Sequence, residues 1–209
     1  MDSPSISPHR QKEGSLYTGE DMKGEFTLIL GPMASGKSIA LIAELDRYEH
    51  AHKKVLTVHS TANVREDDVE SRIGLSRKAL KVEKLSDLTK QLDIKEIDVV
   101  GIDEMLMFDP EDSFNTIKDW LHSGKVVVAS SLDMLGNGSM SKTVKRLLEL
   151  VPDVRYEKAV CEECDAIDAR FTKVSKSNGE FVERSTLPDV IPQDGTYLYK
   201  PVCRECFYK

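Results

Sequence analysis

Eight consecutive residues, Gly31-Pro32-Met33-Ala34-Ser35-Gly36-Lys37-Ser38, have the types and spacing to hold phosphate: a glycine, four residues, then Gly-Lys-Ser. An apolar run, Phe26 to Leu30, precedes them and a helix-like run, Ile39 to Tyr48, follows. A strand that feeds a glycine-rich turn and then a helix aims several backbone N–H groups and the positive helix N-terminus at one place. Lys37 would add a mobile cation for the β- and γ-phosphates, and Ser38 a hydroxyl for Mg²⁺. The competing reading is a chance glycine turn, which the strand-turn-helix order disfavours.

A second group lies downstream, where Val99-Val100-Gly101-Ile102 runs into Asp103-Glu104. Strand ends in α/β sheets face the ligand crevice, so Asp103 is placed to hold Mg²⁺ or its water shell. Glu104 is placed to take a proton from an attacking group. Adjacent residues on a strand point to opposite sides, which would separate the two roles. An exposed acidic turn after a buried strand is the plainer alternative, and the upstream phosphate loop weighs against it.

The four cysteines form two Cys-x-x-Cys pairs, Cys161/Cys164 and Cys203/Cys206, with 38 residues between the pairs. Such knuckles supply four thiolates for a closed, structural Zn²⁺ site, though the gap exceeds common zinc-ribbon spacing. Two disulfides are one alternative and a redox Cys-x-x-Cys another, though two copies of the latter would be unusual. The N-terminus has no apolar signal core, which favours a reducing, cytoplasmic setting and free thiols. The histidines fit no ligand spacing and read as surface or helix residues.

These groups need elements to position them. Val55–Val58, Ile97–Ile102 and Lys125–Ser130 are β-branched, apolar runs, and Ser113–Leu121 has helical spacing between the last two. Continuous apolar strands separated by helices predict a mainly parallel sheet buried on both faces. Residues 1–24 are polar, with two Ser-Pro steps, and read as a flexible extension. Residues 25–156 read as a nucleotide-binding α/β domain and 157–209 as a small cysteine-bearing module. The chain carries 36 acidic and 29 basic residues, a net charge of −7. Neither a basic nucleic-acid surface nor a stretch of about 20 apolar residues is present, so neither nucleic acid nor a membrane is an expected partner.

The combination resembles the cellular-type (type II) thymidine kinases, from about Gly24 to Cys206. Gly31 to Ser38 is similar to that family's Gly-Pro-Met-Phe-Ser-Gly-Lys-Ser/Thr. Ile102-Asp103-Glu104 matches its Asp-Glu element, Ser131-Leu132-Asp133 its Gly-Leu-Asp step, and Ala169-Arg170-Phe171-Thr172-Lys173 its Ala-x-Phe-Thr-Lys segment. Tyr199 matches the tyrosine near the nucleoside, and both cysteine pairs match the zinc knuckles. The resemblance implies a RecA-like P-loop domain plus a small zinc domain with a lasso loop, here about 169–199, and a homotetramer. It implies ATP and Mg²⁺ at Gly31–Ser38 and Asp103, and Glu104 as base. Met33, Met107, Phe171, Thr172 and Tyr199 would contact the nucleoside. Arg65 would stabilise the transferring phosphoryl group, or serve only as a surface arginine before Glu66-Asp67-Asp68.

Several positions depart from the family pattern. Ala34 replaces Phe, Asn63 replaces Asp, Leu106 and Met107 replace Gln and Phe, and Val174 replaces an arginine. The expected activity is ATP-dependent phosphorylation of thymidine, or a related deoxypyrimidine nucleoside, at the 5′-hydroxyl. The rival is a P-loop nucleotide-binding protein that acts as a sensor or assembly factor. Retention of Lys37, Ser38, Asp103 and Glu104 favours the enzyme.

Overall fold

The structure is a computed structural model that describes residues 23–64, 68–71, 73–180, 182–191 and 195–209. The expected Arg65 contact lies outside the described residues, as does nearly all of the expected N-terminal extension.

The chain runs β1 (Glu25–Leu30), α1 (Lys37–His50), β2 (Val55–Ser60), β3 (Val69–Glu70), β4 (Ser76–Arg77), β5 (Leu80–Val82) and α2 (Leu88–Gln91). It continues through β6 (Val99–Ile102), α3 (Pro110–His122), β7 (Val126–Ser131), α4 (Lys142–Leu147), β8 (Asp153–Tyr156), β9 (Phe171–Lys176), β10 (Tyr197–Val202) and α5 (Arg204–Tyr208). Six strands form a parallel sheet in the order β5-β2-β6-β7-β1-β8. The predicted mainly parallel sheet is therefore present, with strand bounds shifted by one or two residues.

Alternation along the strands builds a three-layer α/β/α sandwich. Leu28, Leu30, Val100, Ile102, Val127 and Ala129 pack with Ile117, Trp120 and Leu121 of α3 and Val144 and Leu147 of α4. The intervening Ile29, Val99 and Val128 pack with Leu41 and Leu45 of α1 on the other face. Helix α3 starts cleanly because the Asp109 side chain accepts from the N–H groups of Glu111 and Asp112 and Pro110 occupies the first turn.

Gly101 lets α1 pack tightly on the sheet. A Cβ there would lie 2.3 Å from Leu45 Cδ1 and 2.8 Å from Cδ2. Gly101→Ala is expected to destabilise the fold by about 1–3 kcal/mol through overpacking. Urea denaturation measures this, and unchanged stability would show that α1 yields freely.

The cysteine module has its own core. Strands β9 and β10 pair antiparallel from Phe171 with Val202 to Lys176 with Tyr197. Ala159, Cys161, Ala169, Phe171, Val202, Cys203, Cys206 and Phe207 cluster behind them. A hydrogen bond reaches from this ribbon to the phosphate loop: the Met33 N–H donates to Thr172 Oγ1 at 3.0 Å.

Candidate active site

The predicted phosphate loop follows β1 and turns into α1. Gly31 is required by crowding, since a Cβ would sit 2.5 Å from the Glu157 carbonyl oxygen and 2.7 Å from Ser35 Oγ. Gly36 is left-handed (φ 90°) and forms the N-cap of α1, and no side chain caps the helix. The first-turn amides thus open onto a cleft of about 290 Å³ lined by Met33–Ile39, Glu70, Ser71, Ile73 and Glu104. This is an anion cradle at a helix N-terminus. Lys37 is buried, and its ammonium donates to the Pro32 carbonyl at 2.8 Å, beside the cradle.

Strand β6 ends beneath this cleft. Ser38 Oγ donates to Asp103 Oδ2 at 3.1 Å, and Asp103 Oδ1 accepts from Ser130 Oγ and, at 3.0 Å, from the Glu104 N–H. Asp103 is 2% exposed. A hydroxyl and a carboxylate meeting at the foot of a phosphate cradle are hard oxygen donors of the kind Mg²⁺ takes.

Strand alternation does not separate Asp103 from Glu104, contrary to the expectation from sequence. The strand stops at Ile102, and Glu104 adopts a left-handed conformation (φ 52°, ψ 50°) before the 3₁₀ turn Met105–Met107. Positive φ is uncommon outside glycine and clusters at functional sites. The Leu106 N–H donates to Ser131 Oγ at 3.1 Å, which ties that turn to the end of β7.

A second, apolar cavity adjoins the first. Leu106, Met107, Leu132, Leu135, Val174, Val190 and Ile191 form its walls, with Glu104, Thr172, Asp189 and Tyr199 as polar members. Met33 and Glu104 line both spaces. Of the residues expected to meet the acceptor, Met33, Met107, Thr172 and Tyr199 lie on this cavity.

Phe171 is a correction. Its ring stacks on Phe207 with centroids 4.6 Å apart and meets Tyr208 edge-on at 5.8 Å, inside the cysteine-module core. Phe171 and Thr172 are neighbours on β9, so they point to opposite faces.

His59 is a second correction. It is fully buried near the C-terminal end of β2, with Nε2 3.3 Å from Asn63 Nδ2. Burial pushes its pKa down, and the Asp103 charge works the other way.

The sequence does not single out Ser130, nor, within the expected lasso of about 169–199, the strap residues Asp189, Val190 and Ile191 that line the cavity. Two serines closing an apolar strand between β6 and β1 were a usable signal for the first. The strap has no periodicity to reveal it.

The four thiols of Cys161, Cys164, Cys203 and Cys206 have their sulfurs within 4.8 Å of one another, and Cys164 and Cys203 are 3.7 Å apart. A tetrahedron with Zn–S bonds of about 2.3 Å has edges of about 3.8 Å, so the set fits zinc. No helix among the described residues is long and apolar enough to cross a membrane.

Fold and site together define an α/β protein with a P-loop-type phosphate cradle and a small module whose four thiols fit a metal. The chain belongs to the thymidine kinase family, whose sequence profile matches residues 24–207. The thymidine kinase of Pseudothermotoga lettingae is 30% identical over 190 residues, which cover 90% of this chain and 97% of that one. The thymidine kinase of vaccinia virus (strain Western Reserve) is 31% identical over 185 residues, covering 88% and 97%. That of sheeppox virus is 30% identical over 186 residues, with the same coverage. The family consists of nucleoside kinases.

Proposed function

We propose that this chain transfers the γ-phosphoryl group of ATP to the 5′-hydroxyl of thymidine or a related deoxypyrimidine nucleoside. The observation that carries the reading is the position of Glu104, whose left-handed turn sets it on both the phosphate cleft and the acceptor cavity.

Lys37 exchanges its contact with Pro32 for the phosphate oxygens, and the α1 amides hold the remainder of the chain of phosphates. Ser38 and Asp103 would hold Mg²⁺, which supplies charge neutralisation across the phosphates when bound. The nucleoside's 5′-oxygen attacks the γ-phosphorus, the bond to the β,γ-bridging oxygen breaks, and ADP leaves. The hydroxyl proton passes to the Glu104 carboxylate. Arg65, by family resemblance, stabilises the transferring group. Most of the rate enhancement in such a site is positioning and electrostatic stabilisation.

The apolar walls at Leu106, Met107, Leu132 and Leu135 suit a flat base, and Thr172 and Tyr199 offer hydroxyls beside it. A methionine fills the space of an aromatic ring while remaining adaptable, so Met107 retains the packing role of the phenylalanine it replaces. The four cysteines hold a structural zinc, and family resemblance supports a homotetramer.

A panel of nucleosides incubated with radiolabelled ATP tests the proposal. Transfer to at least one deoxypyrimidine nucleoside is expected. ATP binding without transfer to any nucleoside would overturn the kinase reading in favour of a binding protein.

A further inference from the structure

Strand β7 closes on two serines, Ser130 and Ser131, and both are fully buried. β7 lies between β6, which leads into Asp103-Glu104, and β1, which leads into the phosphate loop. On the β1 side Ser130 is level with Ile29, and Ser131 with Leu30, the residue before Gly31. On the β6 side the pairing ends at Ile102 with Ala129, so the next step brings Asp103 beside Ser130. Buried hydroxyls need hydrogen-bond partners, and adjacent strand residues must find theirs on opposite faces of the sheet.

Ser130 follows Val128, which packs with α1, and so faces the side on which the cradle lies. Its Oγ donates to Asp103 Oδ1, which also accepts from the Glu104 N–H at 3.0 Å. The other oxygen, Oδ2, accepts from Ser38 Oγ at 3.1 Å. The terminal torsion of an aspartate is broad. Two donors gathered on Oδ1 therefore decide which oxygen is turned toward Ser38 and the cradle.

Ser131 follows Val127 and Ala129 onto the face that packs with α3 and α4. Its Oγ donates to the Leu132 carbonyl and accepts from the Leu106 N–H, each at 3.1 Å. With the hydroxyl proton committed to Leu132, a lone pair is presented to Leu106. That residue is the middle of the 3₁₀ turn Met105–Met107, which the left-handed Glu104 opens. The Met107 N–H closes the turn on the Glu104 carbonyl at 2.9 Å. A residue in a sparsely populated conformation persists only where its surroundings hold it, and Ser131 is one such hold.

We propose that Ser130 and Ser131 are positioning residues with separate duties: Ser130 sets the Asp103 carboxylate for the divalent cation, and Ser131 sets the turn that carries Glu104 between the phosphate cleft and the acceptor cavity. Neither serine lines the cleft or the cavity, so each acts through its hydrogen-bond partner. This rests on the reading of Asp103 and Glu104 given above.

The test uses the full-length protein. Mn²⁺ stands in for Mg²⁺, and loss of its free-ion electron paramagnetic resonance signal reports binding to the protein with ADP. Ser130→Ala is expected to weaken Mn²⁺ binding about tenfold, the scale of one hydrogen bond to a charged group. The Mg²⁺ concentration for half-maximal thymidine phosphorylation should rise in parallel, with the thymidine KM unchanged. Ser130→Cys keeps a similar shape and a weak donor, so its Mn²⁺ affinity should fall between those of Ser130→Ala and the natural protein. Ser131→Ala is expected to leave Mn²⁺ binding unchanged and to speed hydrogen–deuterium exchange over residues 104–107. It should also lower kcat about three- to tenfold, the scale of a neutral hydrogen bond. Unchanged Mn²⁺ binding in both Ser130 variants, or equal weakening in Ser131→Ala, would overturn the division of duties, as would unchanged exchange in Ser131→Ala. The same split in Mn²⁺ binding and exchange, in a protein that phosphorylates no nucleoside, would overturn the kinase reading and uphold both serines.

Discussion

Glu104→Gln is expected to lower turnover about 10²–10⁴-fold while ATP binding stays nearly intact, the scale of removing a general base. The substitution keeps the side-chain shape and the backbone N–H that donates to Asp103 Oδ1. It also keeps the left-handed turn no worse than before, since both residue types carry a Cβ and an unbranched stem. What changes is chemical: an amide cannot accept the 5′-hydroxyl proton. The loss should therefore appear in kcat, and the ATP dissociation constant, measured by calorimetry, should move little because the cradle amides, Lys37 and Ser38 lie on a different segment. An unchanged turnover would remove Glu104 from the reaction, and loss of ATP binding would show that it supports the cradle instead.

The legible parts of this fold are those whose burial is symmetric. Strands β1, β6 and β7 lie in the sheet interior with helices on both faces, so they read as continuous apolar runs. Strand β8, with the sequence Asp153-Val154-Arg155-Tyr156, sits at the sheet edge and is largely exposed, so only Val154 packs on the core and no apolar run marks the strand. The edge strand β5 does carry Leu80 and the buried Val82, but three residues are too few to show a pattern. In the site, the phosphate loop and Asp103-Glu104 were legible because their chemistry depends on fixed spacing along the chain. Asp189, Val190 and Ile191 act through positions brought together by the fold, which spacing cannot show.

His59 and Lys125 show the limit from the other side. Both are polar letters that suggest a surface, and both are buried. Lys125 donates to the Ile94 and Ile97 carbonyls at 2.5 and 2.6 Å and ties the 94–97 turn to β7. Burial lowers its pKa, against the pull of Asp98 and Asp93.

Emptying the four-thiol cluster of metal is expected to abolish nucleoside phosphorylation while leaving the parallel sheet folded. The module core has eight buried members, and three of them, Cys161, Cys203 and Cys206, belong to the thiol set. Burial opposes ionisation of Cys161, but backbone N–H groups of Cys203, Glu163 and Cys164 directed at its sulfur bring its pKa down to about 6. Hydrogen bonding with Cys164, followed by burial, pushes Cys206 up to about 12. Four sulfurs this close cannot all ionise without a cation among them. Zinc binding contributes about 10–16 kcal/mol of apparent free energy in small zinc peptides, far more than the Phe171–Phe207 stack can replace. The module in turn supplies Thr172 to the Met33 N–H and Val174 and Tyr199 to the acceptor cavity, so its loss removes one wall and one brace of the phosphate loop together. The double variant Cys203→Ser/Cys206→Ser should lose zinc by elemental analysis, lose transfer to thymidine, and keep the circular dichroism of the α/β domain. Dialysis of the natural protein against a chelator should do the same reversibly, with activity returning on addition of zinc. Full activity in protein shown to contain no metal would sink the structural role of the cluster and reopen a purely thiol core.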